Sequence, residues 1–138
     1  ITLDLKYIQL HGDENQSYIN EIKKQFSLKI IKKISIKKTE DLHIINNYKN
    51  IDYLLFDYKP NTNELPGGNS KSFNWNILKD KKIDIPWFIS GGINQNNIKK
   101  MRNILNPHGI DLSSGVEGSK GVKSNNKINN LFKKFYDK

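Results

Sequence analysis

Two short stretches of small residues carry the residue types that bind a phosphate. Gly91 and Gly92 follow an apolar, strand-like run that begins at Ile85, and Ser114 and Gly115 follow a second, shorter run. Glycine lets the backbone turn sharply and bring its N–H groups close to an anion, and a helix that starts nearby adds unpaired donors and a positive dipole end. We therefore expect the two loops to lie side by side and to hold one phosphate between them.

A carboxyl group at the end of another apolar run is the candidate proton donor. Asp57 comes directly after the four apolar residues 53–56. An apolar setting desolvates a carboxyl group and favours the protonated form that a general acid needs near neutral pH. The alternative role is structural, with the carboxylate capping the loop that follows.

Three further polar residues lie in or at the ends of predicted strands, and we treat them as candidate substrate contacts. His11 would orient the substrate or form a hydrogen bond to a neighbouring loop. Asp111 would point towards the same end of the sheet as His11. Lys32, inside an otherwise apolar strand, would either project towards an anionic substrate or extend outwards to solvent.

A long segment between predicted elements supplies the last candidates. Gly67 and Gly68 belong to residues 58–72, and loops of this length inside a compact domain are usually functional. We expect this loop to cover one end of the ligand, while a simple turn at the glycine pair is the alternative.

The composition excludes several kinds of site and partner. The chain has no cysteine, so disulfides, thiolate metal sites and a thiol nucleophile are excluded within these 138 residues, and no His, Asp or Glu cluster has metal-ligand spacing. No signal peptide is visible and no apolar run approaches the roughly 20 residues of a membrane helix, so we expect a cytoplasmic location and no membrane partner. The net charge is +9, but the lysines are dispersed and the only arginine is Arg102. Because nucleic-acid sites favour clustered arginine with aromatic residues, we expect a small anionic ligand instead.

The order of the predicted elements places the candidate residues at one rim of the sheet, which is formed by the carboxyl ends of its strands. Strands and helices alternate, with strands predicted at 5–12, 29–36, 52–57, 85–90 and 110–112 and helices predicted at 14–26, 39–48, 73–78, 98–105 and near the C-terminus. The first helix should bury Tyr18, Ile19, Ile22 and Phe26. Such alternation indicates parallel βα units, which fit either a doubly wound sheet or part of a (β/α)8 barrel. Both folds bind ligands at the carboxyl ends of their strands, and a phosphate site on the last two loops favours the barrel.

Five motifs in this order resemble phosphoribosylanthranilate isomerase. They are IQLHGDE (8–14), LLFD (54–57), LPGGNSKSFNW (65–75), FISGGINQNNI (88–98) and GIDLSSGVEGSKGVK (109–123). The resemblance implies a (β/α)8 barrel of tryptophan biosynthesis and a phosphorylated small molecule as the partner. The implied reaction is a cofactor-free Amadori rearrangement of N-(5-phosphoribosyl)anthranilate to 1-(2-carboxyphenylamino)-1-deoxyribulose 5-phosphate. Asp57 corresponds to the general acid of that family.

The chain departs from the family at its start. The family opens with a strand ending in a cysteine that serves as the general base, and no such segment occurs here. We therefore expect residues 1–138 to form one domain, a partial barrel of about five βα units from the C-terminal part of the enzyme, inactive alone. Two alternatives remain open: another phosphate-binding barrel enzyme of the indole-glycerol-phosphate synthase type, or a non-catalytic basic fragment that binds anions.

Overall fold

The centre of the protein is a parallel sheet in which every strand pairs with the next strand along the chain. The computed structural model describes residues 3–61, 63 and 71–136. Within them the sheet order is β1-β2-β3-β4-β5. The strands are β1 (Tyr7–Leu10), β2 (Lys29–Ile36), β3 (Tyr53–Tyr58), β4 (Trp87–Ile89) and β5 (Gly109–Ile110). A doubly wound sheet reverses its strand order at a switch point, whereas this sequential order is that of a TIM-type α/β fold.

Helices connect the strands, as the alternating pattern predicts. The α-helices are α1 (Gln16–Gln25), α2 (Ile98–Ile104) and α3 (Asn125–Tyr136), and the short 3-10 helices are Thr39–Asn47, Trp75–Ile77 and Ser114–Val116. Helix α1 begins later than predicted because Asn15 is its N-cap, accepting a 3.0 Å hydrogen bond from the N–H of Tyr18. No helix in the described part of the chain is long and apolar enough to cross a membrane.

A short antiparallel hairpin was not predicted from the sequence. Its strands are β6 (Glu117–Ser119) and β7 (Val122–Lys123), which follow the second glycine-containing loop. Gly121 forms its turn with φ at +80°, a conformation that glycine adopts without strain. The strands are too short and too polar to show an alternating pattern in the sequence.

One face of the sheet packs against the helices and forms the core. Strand residues Leu54, Phe56 and Ile89 are fully buried against Ile98 and Met101 of α2. Burying side chains of this size contributes about 1.5–3 kcal/mol each before entropy is counted. A second cluster joins the buried residues of α1 to the first two strands: Leu10, Ile19, Ile22 and Ile30.

The predicted burial of α1 is half wrong. Ile19 and Ile22 are buried, whereas Tyr18 is 49% exposed and Phe26 is 54% exposed. Helix α1 therefore contacts the sheet through a narrower stripe than the sequence pattern indicates. Phe26 also lies outside the helix, as its C-cap with extended backbone angles, so helical spacing does not place its side chain.

The opposite face of the sheet carries the candidate rim residues. Strand pairing aligns Lys33 with Leu55 and Ser35 with Asp57, and aligned residues of parallel strands share a face. We call this the inner face, and with the alternate positions of the other strands it comprises Gln9, His11, Lys33, Ser35, Leu55, Asp57, Phe88 and Asp111.

Candidate active site

The two glycine-containing loops lie in direct contact. A Cβ atom built on Gly115 would lie 1.8 Å from the carbonyl oxygen of Ile93 and 3.2 Å from Cβ of Asn94. Only glycine permits so close an approach between two backbones. The 3-10 turn at Ser114–Val116 therefore packs against the loop that follows β4, in the arrangement expected for one anion between two loops.

Three N–H groups of these loops are available to a ligand. The N–H groups of Gly91, Gly92 and Gly115 make no hydrogen bond within the described part of the chain. Gly91 and Gly92 have φ values of +87° and +63°, which point their amides away from the regular strand directions. A bound anion can accept hydrogen bonds from N–H groups of this kind.

Asparagine side chains hold the glycine pair in place. The carbonyl oxygen of Gly92 accepts hydrogen bonds from Nδ2 of Asn94 at 3.1 Å and from Nδ2 of Asn97 at 2.8 Å. The N–H of Asn94 donates to Oδ1 of Asn97, and the N–H of Asn96 donates to Oδ1 of Asn94, each at 2.8 Å. The N–H groups of Asn94 and Asn96, which precede α2, are thus bonded within the loop itself.

Asp57 lies beside the first glycine loop. Its Oδ1 accepts a hydrogen bond from the N–H of Tyr58 at 2.8 Å, and the residue is half-buried at the end of β3. A Cβ built on Gly91 would lie 3.0 Å from the same oxygen. The carboxyl group and the glycine amides therefore share the carboxyl end of the sheet.

Asp111 is a second carboxyl group on this rim. Its N–H donates to the carbonyl of Ile89 at 2.9 Å, which places the residue at the end of β5. Although the residue as a whole is exposed, partial burial of the carboxyl raises its pKa, and the negative charge of Asp57 raises it further. The positive charge of Lys123 acts in the opposite direction. Asp111 thus places a second carboxyl group, with a raised pKa, close enough to Asp57 to sense its charge.

His11 contacts a lysine of the next strand. Its Nε2 lies 3.0 Å from Nζ of Lys33, and the side-chain amide of Gln9 lies 3.3 Å from its Nδ1. An ammonium group can only donate, so Nε2 of His11 is the acceptor in the contact with Lys33. His11 is thus on the inner face at the rim, held by side chains of β1 and β2.

The prediction that Lys32 projects towards the substrate is wrong. Lys32 lies on the helix-covered face and is 1% exposed. Its Nζ donates to Oε2 of Glu14 at 2.8 Å and to the carbonyl of Gly12 at 2.6 Å, and it lies 5.4 Å from the centre of the Tyr48 ring. Lys32 therefore fastens the loop after β1 to the back of the sheet, and extension into solvent is also excluded.

Two cations of the site were missed by sequence reasoning. Lys33 occupies the inner-face position that was assigned to Lys32, and the alternation of Ile31, Lys33 and Ser35 against the isoleucines of the other face could have revealed it. Lys123 in the unpredicted hairpin donates to Oγ of Ser113 at 3.2 Å and to Oε1 of Glu117 at 2.8 Å. No local pattern indicates Lys123, because it reaches the loop at Ser113 only through the fold of the β6–β7 hairpin.

Two of the candidate residues cannot be placed. Gly67 and Gly68 lie outside the described residues, so their predicted role at the ligand stays a prediction. Within the described ranges no group of three His, Asp or Glu side chains is arranged to hold a metal ion.

Comparison with known proteins identifies the family of this site. The family model for N-(5'-phosphoribosyl)anthranilate (PRA) isomerase matches residues 1–134. The chain belongs to this isomerase family. It is 41% identical over 132 residues to the N-(5'-phosphoribosyl)anthranilate isomerases of Brucella canis and Brucella abortus, covering 94% of this chain and 60% of theirs. The chain thus spans about three-fifths of the length of these relatives, and the resemblance read from the motifs is confirmed.

Solved structures of the isomerase family have the same fold. The isomerase of Thermotoga maritima matches with a TM-score of 0.79 and 26% identity, over 95% of this chain and 62% of that one. The isomerase of Pyrococcus furiosus matches with a TM-score of 0.73 and 24% identity, over 94% of this chain and 62% of that one. These likenesses, with the sequential parallel sheet, establish a TIM-type α/β fold.

Proposed function

We propose that this protein is the isomerase that converts N-(5-phosphoribosyl)anthranilate to 1-(2-carboxyphenylamino)-1-deoxyribulose 5-phosphate in tryptophan biosynthesis. The observation that carries the proposal is the position of the Asp57 carboxyl beside the first of two touching loops, whose three glycine amides make no hydrogen bond within the described residues. A solved family member, 25% identical to this chain with a TM-score of 0.73, is a complex with the reduced form of that product. Both support a phosphorylated sugar as the ligand.

The glycine loops bind the phosphate in this proposal. In this assignment the N–H groups of Gly91, Gly92 and Gly115 donate hydrogen bonds to the phosphate. Each charge-assisted hydrogen bond contributes about 1.5–3 kcal/mol. Holding the end of the substrate that does not react positions the ribose for chemistry and lowers the entropic part of the barrier.

Asp57 acts as the general acid. It protonates the ring oxygen of the ribose while the C1–O bond breaks and the nitrogen lone pair forms a C1=N Schiff base. A base then removes the proton from C2, the resulting enol-amine forms, and tautomerisation gives the ketone. Asp111 lies on the same rim, and burial and the charge of Asp57 raise the pKa of its carboxyl group.

In this assignment the general base and the remaining strands of the barrel lie in βα units that the longer relatives have beyond the matched region. Family resemblance makes the base a cysteine, and the 138 residues contain none. Five parallel strands in sequential order and a match to 60% of the relatives' length support residues 1–138 as one domain, the C-terminal part of an eight-stranded barrel. The described residues alone are then expected to be inactive.

A complementation experiment tests the proposal. Cells that lack the isomerase receive either this chain or the chain fused behind the N-terminal βα units of the Brucella canis relative. We expect growth without tryptophan from the fusion and none from the chain alone. Rescue by the chain alone would contradict the assignment of the base to additional units, and failure of a folded fusion would contradict the proposed activity.

The role of Asp57 is tested in the same fusion. Replacing Asp57 with Asn should lower turnover by about 100-fold or more, because general acid catalysis contributes factors of that size. Asp84→Asn is the matched control, since Asp84 is exposed and, among the residues that the structure describes, pairs at 3.8 Å only with exposed Lys82. Near-normal turnover in the Asp57 variant would remove it from the acid role.

A further inference from the structure

Glu117 at the start of the β6–β7 hairpin is held by several hydrogen bonds. Its Oε2 accepts from the N–H of Gly121 at 3.0 Å, and its Oε1 accepts from Nζ of Lys123 at 2.8 Å. Its backbone carbonyl accepts from Nζ of Lys127 in α3. The bond from Lys123, followed by that from Gly121, lowers the pKa of the Glu117 carboxyl, so the group is a carboxylate at neutral pH. Glu117 is therefore a fixed anion at the end of the second glycine-containing loop.

Lys123 connects this anion to the other end of the same loop. Its Nζ also donates to Oγ of Ser113 at 3.2 Å, and strand pairing places it directly opposite Glu117 in the hairpin. Ser113 is the N-cap residue and Glu117 the C-cap residue of the 3-10 turn Ser114–Val116. One ammonium group thus joins the two ends of the turn that contains Gly115, and we call this contact the lysine bridge.

The position of Gly115 depends on this turn. On one side the turn touches the first loop, because a Cβ atom on Gly115 would lie 1.8 Å from the carbonyl oxygen of Ile93. The lysine bridge keeps the two ends of the turn at a set separation on the other side. Hydrogen bonds weaken steeply when their length and angle depart from the normal range. A turn that relaxed away from the first loop would take the N–H of Gly115 out of reach of an anion held by Gly91 and Gly92.

The lysine bridge is suited to positioning and contributes little to folding. The side chain of Lys123 is 45% exposed, and water competes with ion pairs that are so exposed. The charges of Lys123 and Glu117 cancel, so the bridge adds little net charge to the site. Its loss should therefore change the geometry of the turn more than the stability of the protein.

We propose that Lys123 is a positioning residue for the phosphate site, holding Ser113 and Glu117 at the separation that presents the N–H of Gly115 to an anion on the first loop. The inference rests on the proposed function, because it names a residue that shapes the phosphate site for that substrate. Lys123 does not touch the anion in this assignment and acts through the turn.

Calorimetric titration with inorganic phosphate and amide NMR spectra of the chain test the proposal. Lys123→Met removes the donors and keeps a long side chain. Phosphate affinity should fall about threefold to tenfold, because one charge-assisted hydrogen bond is misplaced and the others remain. The unfolding midpoint should move by less than about 4 °C, as expected for an exposed ion pair. At saturating phosphate, the shift of the Gly115 amide resonance should be largely lost, while Gly91 and Gly92 keep theirs.

Two variants of the same hairpin serve as controls. Lys120→Met removes an equal charge from an exposed residue in the hairpin turn, and its phosphate affinity should match that of the unaltered chain. Lys123→Arg keeps a cation with several N–H donors, which can reach both the hydroxyl and the carboxylate. Its affinity should stay within about twofold of the unaltered chain, since the bridge is retained.

The outcomes separate this inference from the proposed function. If the unaltered chain binds phosphate and Lys123→Met keeps both the affinity and the Gly115 shift, the inference alone is overturned. Equal weakening by Lys120→Met would make the effect one of net charge. Equal loss of the shifts at all three glycines, or a larger fall in the unfolding midpoint, would make Lys123 a general structural residue, and either result overturns the inference. If the unaltered chain binds no phosphate, the proposed phosphate site fails and this inference fails with it.

Discussion

Gly115→Ala tests the contact between the two glycine loops, on which the phosphate site depends. The new methyl group would lie 1.8 Å from the carbonyl oxygen of Ile93 and 2.9 Å from its carbonyl carbon. Both are backbone atoms, so no side-chain rotation relieves the overlap. The loops must separate by more than an ångström, and overpacking of this kind costs about 1–3 kcal/mol of folding free energy.

The same separation should weaken the binding of phosphate. Hydrogen bonds fall off steeply beyond their normal lengths, so an anion between the loops would lose its bonds to one side. Loss of one or two charge-assisted bonds, at about 1.5–3 kcal/mol each, corresponds to at least a tenfold weaker affinity. Stability and binding are therefore expected to fall together.

Urea unfolding and titration with inorganic phosphate measure the two effects. Gly118→Ala is the control, because its Cβ would meet only Cβ of Ser124, at an ordinary distance of 3.5 Å. That variant should stay within about 0.5 kcal/mol of the unaltered chain, as most surface substitutions do. If Gly115→Ala kept both its stability and its phosphate affinity, the idea that two touching loops grip one anion would be refuted.

Two further predictions concern ion pairs away from the site. Glu14→Gln leaves the buried ammonium of Lys32 without its anion, so the unfolding free energy should fall by about 1–3 kcal/mol in urea titrations, and an unchanged value would contradict the pairing. Burial raises the pKa of Asp52, but hydrogen bonds from Lys23 and from the N–H of Ile30 more than offset this, and the pKa lies below its ordinary value. A lowered pKa in the folded state stabilises the protein above the unfolded pKa, and that stability is lost as the pH falls below about 4. Asp52→Asn should therefore flatten the fall in unfolding free energy between pH 5 and 3 (about the range of carboxyl titration), and an unchanged slope would count against this assignment.

Much of the fold can be read from local patterns in the chain. Residues 29–36 were predicted as a strand and form β2 with those bounds, and the helix predicted near the C-terminus is α3. The spacing of apolar residues predicts helices and strands because each of these elements must bury one face. Glycines in the two loops were also recognisable, since Gly91 at φ +87° and Gly115 against Ile93 need the absence of a Cβ.

The side of the sheet on which a residue lies was harder to predict. Lys32 and Lys33 are adjacent in an isoleucine-rich strand, and a shift of one residue exchanges their faces. Pairing with β1 and β3 decides the register, and it places Lys33 with the acid and Lys32 against the helices. Lys123 reaches the second loop only through the β6–β7 hairpin.

Local sequence thus specifies the positions of turns and strands and the order of the strands along the chain. Backbone strain and apolar periodicity depend on residues that are close together in the sequence. The tertiary structure alone determines which charged residues lie close together at the carboxyl end of the sheet. Strand register and loop packing join residues far apart in the chain, such as Asp57 with Gly91 and His11 with Lys33, and no local pattern encodes those distances.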